Sequence, residues 1–328
     1  MEKVSEQMDR LMISFVIPSY NEGDNIQAVM EAIRREMLQH YYAYEVLFID
    51  DGSTDQTMDE IRKVVFNFSE AKYLSFTRNF GKEAAILAGL QHANGQAIIM
   101  MDADLQHPAS MIPELLKGFE EGYDQVIAKR DRTGDPYFRS LLSKSFYRTV
   151  NKTIDVQLSD GEGDFRLLSR KAVNALLQLS EGNRFSKGLY AWIGLEQKSI
   201  LYENVTRQHG ETKWSLAKLV NYAIDGIVSF NTKPLRLCFY MGISTLLLAV
   251  VYICLTFTQI LRHGVDVPGY FTTISAVLFL GGIQLLSLGV IGEYIGRIYN
   301  ETKKRPHYLV QQSNTESVGV VKREKHAV

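Results

Sequence analysis

Short apolar runs alternate with longer amphipathic stretches through roughly the first 210 residues, and that alternation predicts strands separated by helices. Ile13 to Pro18, Glu45 to Asp50, Lys72 to Phe76, Ala97 to Asp102 and Gln125 to Ala128 read as strands. Asn25 to Leu38, Thr54 to Phe66, Lys82 to Gln91 and Ser110 to Phe119 lie between them and are long enough for helices. Regular alternation implies an α/β domain, a mostly parallel sheet with helices on both faces. Such sheets bind ligands beyond the carboxyl ends of their strands. Polar clusters fall at those ends: Ser19 to Asp24, Asp50 to Asp55 and Asp102 to Gln106. Within the second cluster, Asp55 reads as a first-turn residue and Thr54 or Ser53 as the cap of the helix that follows.

The pattern changes near the C-terminus. Leu237 to Leu261 is 25 residues without a charge and Phe271 to Ile291 is another 21. Each meets the roughly 20-residue length of a membrane-spanning helix. The linker Arg262 to Tyr270 contains Gly264, Pro268 and Gly269 and reads as a tight turn between antiparallel spans. Lys213, Lys218, Lys233 and Arg236 precede the first span, and Arg297, Lys303, Lys304 and Arg305 follow the second, whereas the linker holds only Arg262. The positive-inside rule then puts both ends on the cytoplasmic side of the cell membrane. Leu216, Leu219, Val220, Ala223, Ile224 and Ile227 recur at helical spacing just ahead of the spans. This amphipathic helix suits either packing on the globular domain or an in-plane position at the membrane surface. The expected organisation is a cytoplasmic domain over 1–210, a surface helix over 211–233, a transmembrane hairpin over 234–300 and a cytoplasmic tail over 301–328, with a short strand at Pro306 to Gln311.

Composition narrows the classes. The net charge of −1, with basic residues scattered, does not suit a dedicated nucleic-acid binder. Cys238 and Cys254 stand sixteen positions apart in one apolar stretch. On a helix that is about 24 Å, too far for a disulfide. Met1 to Arg10 is polar and no secretory leader is expected there.

The chemistry concentrates in Asp102-Ala103-Asp104-Leu105-Gln106, directly behind the apolar run Ala97 to Met101. Two carboxylates at a strand end serve as caps or turn residues, or as oxygen ligands for a hard cation such as Mg²⁺ or Mn²⁺. No G-x-G-x-x-G follows the first strand, Gly81-Lys82-Glu83 lacks the other residues of a P-loop, and no Cys/His spacing suits zinc.

Val16-Ile17-Pro18-Ser19-Tyr20-Asn21-Glu22, Asp50-Asp51-Gly52-Ser53-Thr54-Asp55, Arg78-Asn79-Phe80-Gly81-Lys82 and Asp102-Ala103-Asp104-Leu105-Gln106-His107-Pro108 resemble the ordered motifs of the family 2 inverting glycosyltransferases. Gly163-Asp164-Phe165-Arg166-Leu167-Leu168, Gly210-Glu211-Thr212-Lys213-Trp214-Ser215, the two spans and Gly292-Glu293-Tyr294-Ile295-Gly296-Arg297 narrow the resemblance to the polyisoprenyl-phosphate type. That group includes bactoprenol glucosyltransferases and, more distantly, dolichyl-phosphate mannose synthases.

The resemblance implies a GT-A fold and transfer of one sugar from a nucleotide donor, UDP-glucose or UDP-N-acetylglucosamine, to polyprenyl (undecaprenyl) phosphate. It implies Pro18, Tyr20, Glu22 and Asp51 around the nucleoside, with Lys82 and Asp102 also on the donor side. Glu22 suits a helix-start carboxylate equally well. Asp102, Asp104 and Gln106 become the metal set, with His107 behind them. Asp164 becomes the catalytic base or an orienting group, because a phosphate monoester with a second pKa near 6 has little proton left to lose. Arg166 could pair with the acceptor phosphate or form an exposed salt bridge. Arg207, Lys213 and Trp214 suit either phosphate binding or the ordinary cationic and aromatic fringe of a span. The absence of Q-x-x-R-W favours single-sugar transfer over polymerisation. Glu293 and Arg297 are expected to pair. Relatives also imply a homo-oligomer, with a tetramer as the model, joined by the tail strand, and a flippase acting downstream in cell-envelope glycan modification. The rivals are a membrane scaffold that binds nucleotide sugar without turnover and a transferase acting on another lipid.

Overall fold

The computed structural model describes residues 11–130, 151, 162–182, 184–202, 233–263 and 269–315. The chain forms two compact units, one of Met1–Thr149, Val156–Ser215 and Pro306–Val328 and the other of Val150–Asp155 and Leu216–Arg305.

The first unit holds β1 (Met12–Ser19), α1 (Ile26–Met37), β2 (Ala43–Asp50), α2 (Thr57–Asn67), β3 (Ala71–Phe76), α3 (Lys82–His92), β4 (Ala97–Met100), α4 (Ile112–Glu120) and β5 (Gln125–Arg130). It continues with β6 (Glu162–Ser169), α5 (Arg170–Gln178), α6 (Ser186–Trp192) and β7 (Gln197–Tyr202), and it includes β8 (Val310–Ser313). The sheet runs β7-β5-β6-β4-β1-β2-β3-β8. β4, β1, β2 and β3 are parallel to their neighbours within that block, as is β7 to β5, while β6 and β8 run antiparallel. Parallel strands buried on both faces need continuous apolar runs, and β1, β2 and β4 have them. β2 and β4 flank β1, so the strand order reverses there and opens a crevice at the carboxyl ends of β1 and β4.

Period-two alternation sorts the side chains by face. Ile13, Phe15, Ile17, Phe48 and Ile99 enter a core with Val29, Met30, Ile33, Ile61 and Leu115, drawn from α1, α2 and α4. Val16 lies on the other face, where α3 packs. Every residue of α3 from Ala84 to Leu90 is buried, and Gly89 lets it approach β1 closely: an added Cβ would sit 2.1 Å from Val16 Cγ1. Alanine favours a helix over glycine by about 1 kcal/mol, whereas overpacking a core costs about 1–3 kcal/mol. The clash is with a β-branched side chain on a central strand, so it wins. Gly89→Ala is expected to lower the thermal midpoint in detergent, and Gly89→Ala combined with Val16→Ala to recover part of the loss; a higher midpoint for the single variant would contradict this packing.

The sequence reading of the tail is corrected. The strand starts at Val310 rather than Pro306, and it pairs with β3 of its own chain, Leu74 opposite Ser313 and Phe76 opposite Val310. Pro306 has no N–H to contribute to a ladder. Tyr308 stacks on Phe76 with centroids 4.8 Å apart and donates to Gln91 Oε1 at 2.5 Å, so the chain is pinned to the sheet edge before the strand begins.

In the second unit, α7 (Lys233–His263) and α8 (Tyr270–Thr302) are long enough and apolar enough to cross a membrane by length and composition. The qualifying stretches among the described residues are Leu235–Gln259 and Phe279–Thr302, and the expected Phe271 to Ile291 lies wholly within α8. Glu293 and Arg297 pair at 3.1 Å, as their i,i+4 spacing requires. Both cysteines are free.

Candidate active site

The crevice is built from loops that brace one another. Asp51 N donates to Ser19 O at 2.9 Å, which ties the ends of β2 and β1. Asp50 is buried and structural, accepting from Ser53 N at 3.0 Å and Ser75 Oγ at 2.7 Å. Gly52 has φ +66°, and a Cβ there would lie 2.4 Å from the Arg78 carbonyl carbon. Only glycine lets this loop lie against Arg78–Gly81. That approach brings the Phe80 and Gly81 amides to the Asp51 carboxylate at 2.6 and 2.9 Å. Burial pushes the Asp51 carboxyl upward, and these two amides work against the rise.

Ser53 and Thr54 do not cap the next helix. Ser53 Oγ accepts from Asn21 N at 3.0 Å, and Thr54 N donates to Asn21 Oδ1 at 2.9 Å, so both are spent on joining the first two clusters. Asp55 serves the start of α2 instead, accepting from Thr57 N at 3.0 Å.

Pro18, Tyr20, Glu22, Asp51, Lys82 and Asp102 line one cavity of about 390 Å³, together with Asp104. Tyr20 is 45% exposed, which leaves an aromatic face open for stacking. Glu22 Oε2 accepts from Asn25 Nδ2 at 2.7 Å beside the helical turn Gly23–Asn25. It therefore both braces a helix start and faces the cavity. Asn79, which carried no separate signal in the sequence, lines the cavity as well.

Lys82 opens α3 and joins two distant parts of the chain. Its Nζ lies 2.7 Å from Asp102 Oδ1 and 2.7 Å from Asp164 Oδ2. Burial by itself drives the Lys82 ammonium toward neutrality, but the two carboxylates outweigh it and hold its pKa above the ordinary lysine value. Burial likewise opposes the Asp102 carboxylate, yet Lys82 and then His107 hold its carboxyl well below the usual range. His107 Nε2 lies 3.5 Å from Asp102 Oδ2, its Nδ1 is 3.1 Å from the Tyr202 hydroxyl, and its ring stacks on Phe165 at 4.9 Å. It thus supports Asp102 from behind. Asp104 Oδ1 accepts from Gln106 N at 3.1 Å across a turn in which Leu105 has φ 56°.

Arg166 does not form the exposed salt bridge that is the second reading of the sequence. It is only 2% exposed, its guanidinium carbon lies 3.9 Å from the Tyr190 ring centroid, and Nη2 donates to Gly163 O at 2.7 Å. β6 is an interior strand between β4 and β5, so Arg166 is enclosed by its neighbours and presents no exposed bidentate fork. Arg207, Lys213 and Trp214 lie outside the described residues.

The arrangement offers a crevice at a strand-order reversal, an open aromatic ring, carboxylates at two strand ends and a cation between a carboxylate that follows β4 and one in β6. The Glycosyl transferase family 2 model matches residues 14–177, which span every one of these groups. The protein CsbB of Bacillus subtilis (strain 168) is 62% identical over 94% of this chain and 93% of its own length. This chain belongs to glycosyl transferase family 2.

A second model, the GtrB C-terminal hairpin, matches residues 233–298 of this family 2 member and so covers α7 and most of α8. The Prophage bactoprenol glucosyl transferase homolog of Escherichia coli (strain K12) is 40% identical over 92% of this chain and 99% of its own. A solved structure of glucosyl-3-phosphoglycerate synthase from Mycobacterium tuberculosis in complex with Mn²⁺, UDP-glucose and phosphoglyceric acid is 18% identical, with a TM-score of 0.46 over 68% of this chain and 79% of that one.

Proposed function

We propose that this family 2 glycosyltransferase moves one sugar, from UDP-glucose or UDP-N-acetylglucosamine, onto the phosphate of a polyprenyl (undecaprenyl) phosphate with inversion at the anomeric carbon. The observation that carries the reading is Lys82, whose single ammonium contacts both Asp102 and Asp164 at 2.7 Å. A donor diphosphate beside Asp102 and an acceptor beside Asp164 are then one side chain apart. The name of the E. coli relative, a bactoprenol glucosyl transferase homolog, supports the lipid class. So does the pair of apolar helices, which suits an enzyme whose acceptor is confined to a bilayer.

In this reading Tyr20 stacks on the nucleoside, with Pro18 and Glu22 beside it, and Asp51 accepts from its N–H or hydroxyl donors through lone pairs not used by Phe80 and Gly81. Lys82 neutralises donor phosphate charge. The donor set fits a divalent cation: Asp102 and Asp104 supply hard oxygens, Gln106 stands beside them, and Mg²⁺ or Mn²⁺ usually takes one or two carboxylates plus substrate phosphates. No group of three His, Cys, Asp or Glu suited to a metal occurs among the described residues, so substrate phosphates would have to supply the remaining ligands. The chemistry such an ion supplies is neutralisation of charge on the departing diphosphate.

At neutral pH the acceptor phosphate is mostly a dianion. Its oxygen forms the new bond to the anomeric carbon as the bond to the UDP oxygen breaks, and the electron pair leaves on UDP. No proton need be removed. Asp164 accordingly acts by holding Lys82 and orienting the site, more than as a base. Arg166 is held in place by Tyr190 and the Gly163 carbonyl. The chain lies in the cell membrane with its catalytic unit and both termini cytoplasmic, as a homo-oligomer, and its lipid-linked sugar feeds a flippase and cell-envelope glycan modification.

The test is transfer of radiolabelled sugar from UDP donors to undecaprenyl phosphate by the full-length protein in nanodiscs with Mg²⁺ or Mn²⁺. Label is expected in the lipid phase, with the anomeric configuration of the product inverted. No transfer from any donor, with UDP still bound, would favour the scaffold; transfer only to another lipid would replace the acceptor.

A further inference from the structure

The start of α6 carries a cation for which the reaction as described has no use. Lys187 is the second residue of α6 and is half-buried. Two contacts fix its placement. Ser186, its neighbour, is buried and bonds through Oγ and N to the carboxylate of Glu83, the residue after Lys82, which clamps the start of α6 to the start of α3. Tyr190, one helical turn on, is buried with its ring against the Arg166 guanidinium. Residues three apart share a helix face, so Lys187 stands on the face that Tyr190 turns toward Arg166.

The charges felt by Lys187 are accordingly those of the site. Burial pulls its ammonium below the ordinary lysine value, Asp164 pulls it back, Arg166 and Lys82 repel it, and Glu162 attracts it. It makes no hydrogen bond or ion pair among the described residues, whereas Asp164 is already engaged by Lys82. A desolvated cation left unpaired costs free energy that a bound anion would offset. A second donor is unspent close by: Arg166 Nε is buried without a hydrogen-bond partner among the described residues.

We infer that Lys187, together with the unpartnered Arg166 Nε, forms the seat for the phosphate monoester of the acceptor. This rests on the transfer reaction proposed above and names, among the described residues, an acceptor-side cation that reaction did not use. A monoester dianion carries three acceptor oxygens, enough for an ammonium and a guanidinium N–H together. The donor diphosphate is the other anion of the reaction, but the cavity at the ends of β1 and β4 is lined by Lys82, Asp102 and Asp104 and not by Lys187. Lys187 belongs to the β6 and α6 side, where Asp164 and Arg166 lie.

The test compares Lys187→Gln and Lys187→Arg with wild type, as full-length protein in nanodiscs. It measures donor KM, acceptor KM for undecaprenyl phosphate, UDP affinity, and direct binding of undecaprenyl phosphate and of inorganic phosphate. Lys187→Gln is expected to weaken undecaprenyl phosphate, in KM and in binding, by roughly 10- to 100-fold, the worth of a charged hydrogen bond. Donor KM and UDP affinity should stay unchanged, and Lys187→Arg should recover most of the loss. An unmoved acceptor KM overturns the assignment. So does a rise in donor KM as large as that for the acceptor, which would give Lys187 to the diphosphate, or equal loss of UDP binding in both variants, which would make it a packing residue. Weaker inorganic phosphate with unaltered undecaprenyl phosphate would assign the seat to the free ion and refute the lipid. If wild type binds undecaprenyl phosphate, loses it on Lys187→Gln, yet transfers no sugar, the seat stands and the proposed reaction falls. If wild type binds neither phosphate, the seat falls.

Discussion

Asp104→Asn is expected to lower sugar transfer by roughly 10²–10³-fold, the range for removing one electrostatic stabiliser of a transition state, while the protein stays folded. The choice of asparagine matters. Asp104 Oδ1 accepts from Gln106 N at 3.1 Å and so holds a turn whose middle residue, Leu105, has a left-handed φ of 56°. Alanine would remove both the charge and that bond, confusing a lost metal ligand with a collapsed turn. Asparagine keeps an oxygen for the Gln106 amide and removes the charge alone. The diagnostic measurement is UDP affinity with and without Mg²⁺ or Mn²⁺. Wild type should bind more tightly with the ion, and the variant should lose most of that increment. Full turnover in Asp104→Asn would leave Asp104 as a turn residue and remove the metal role.

The second large effect is at Asp164. Asp164→Asn removes one of the two carboxylates that share Lys82, and a loss of roughly 10²-fold or more is expected, within the range for a positioned acid–base group. Its pH dependence separates the two roles. A phosphate monoester loses its second proton near pH 6, so a base is needed below about that value and hardly at all well above it. If Asp164 were a base, the variant's deficit would shrink as pH rises through that region. An orienting group is needed at every pH, so the ratio of wild-type to variant rate should stay level. Lys82 does not confuse the comparison: Asp102 remains in the variant to keep its ammonium charged across the range. A deficit that narrows with rising pH assigns the base role to Asp164.

Much of the site was legible because its residues follow strands directly. Apolar runs mark where β1, β2 and β4 end, and the polar residues immediately after them, Tyr20, Asp51 and Asp102, must fall at the sheet's edge. Lys82 was legible as part of a motif, but not as a bridge, since nothing in Gly81-Lys82-Glu83 names a partner in β6. The burial of Arg166 was not legible for the same reason. Its neighbours Phe165 and Leu167 are buried on the other face, and alternation alone leaves Arg166 facing either solvent or packed helices. The presence of α6, with Tyr190, settles that. Lys187 carried no signal at all, being one lysine in a short helix far from any strand end. Ser53 and Thr54 were misassigned as caps because their partner, Asn21, belongs to another loop.

The sequence by itself determined the α/β alternation, the polar clusters at strand ends, and two C-terminal stretches able to cross a membrane, since periodicity and apolar length are local properties of the chain. Tertiary structure alone decided that β4 lies beside β1, that β6 enters antiparallel next to it, and that Lys82 therefore meets Asp102 and Asp164 together. Local pattern states how much of each element is buried. Which elements are neighbours depends on closing long loops and filling shared volume, and so does the partner each buried charge finds.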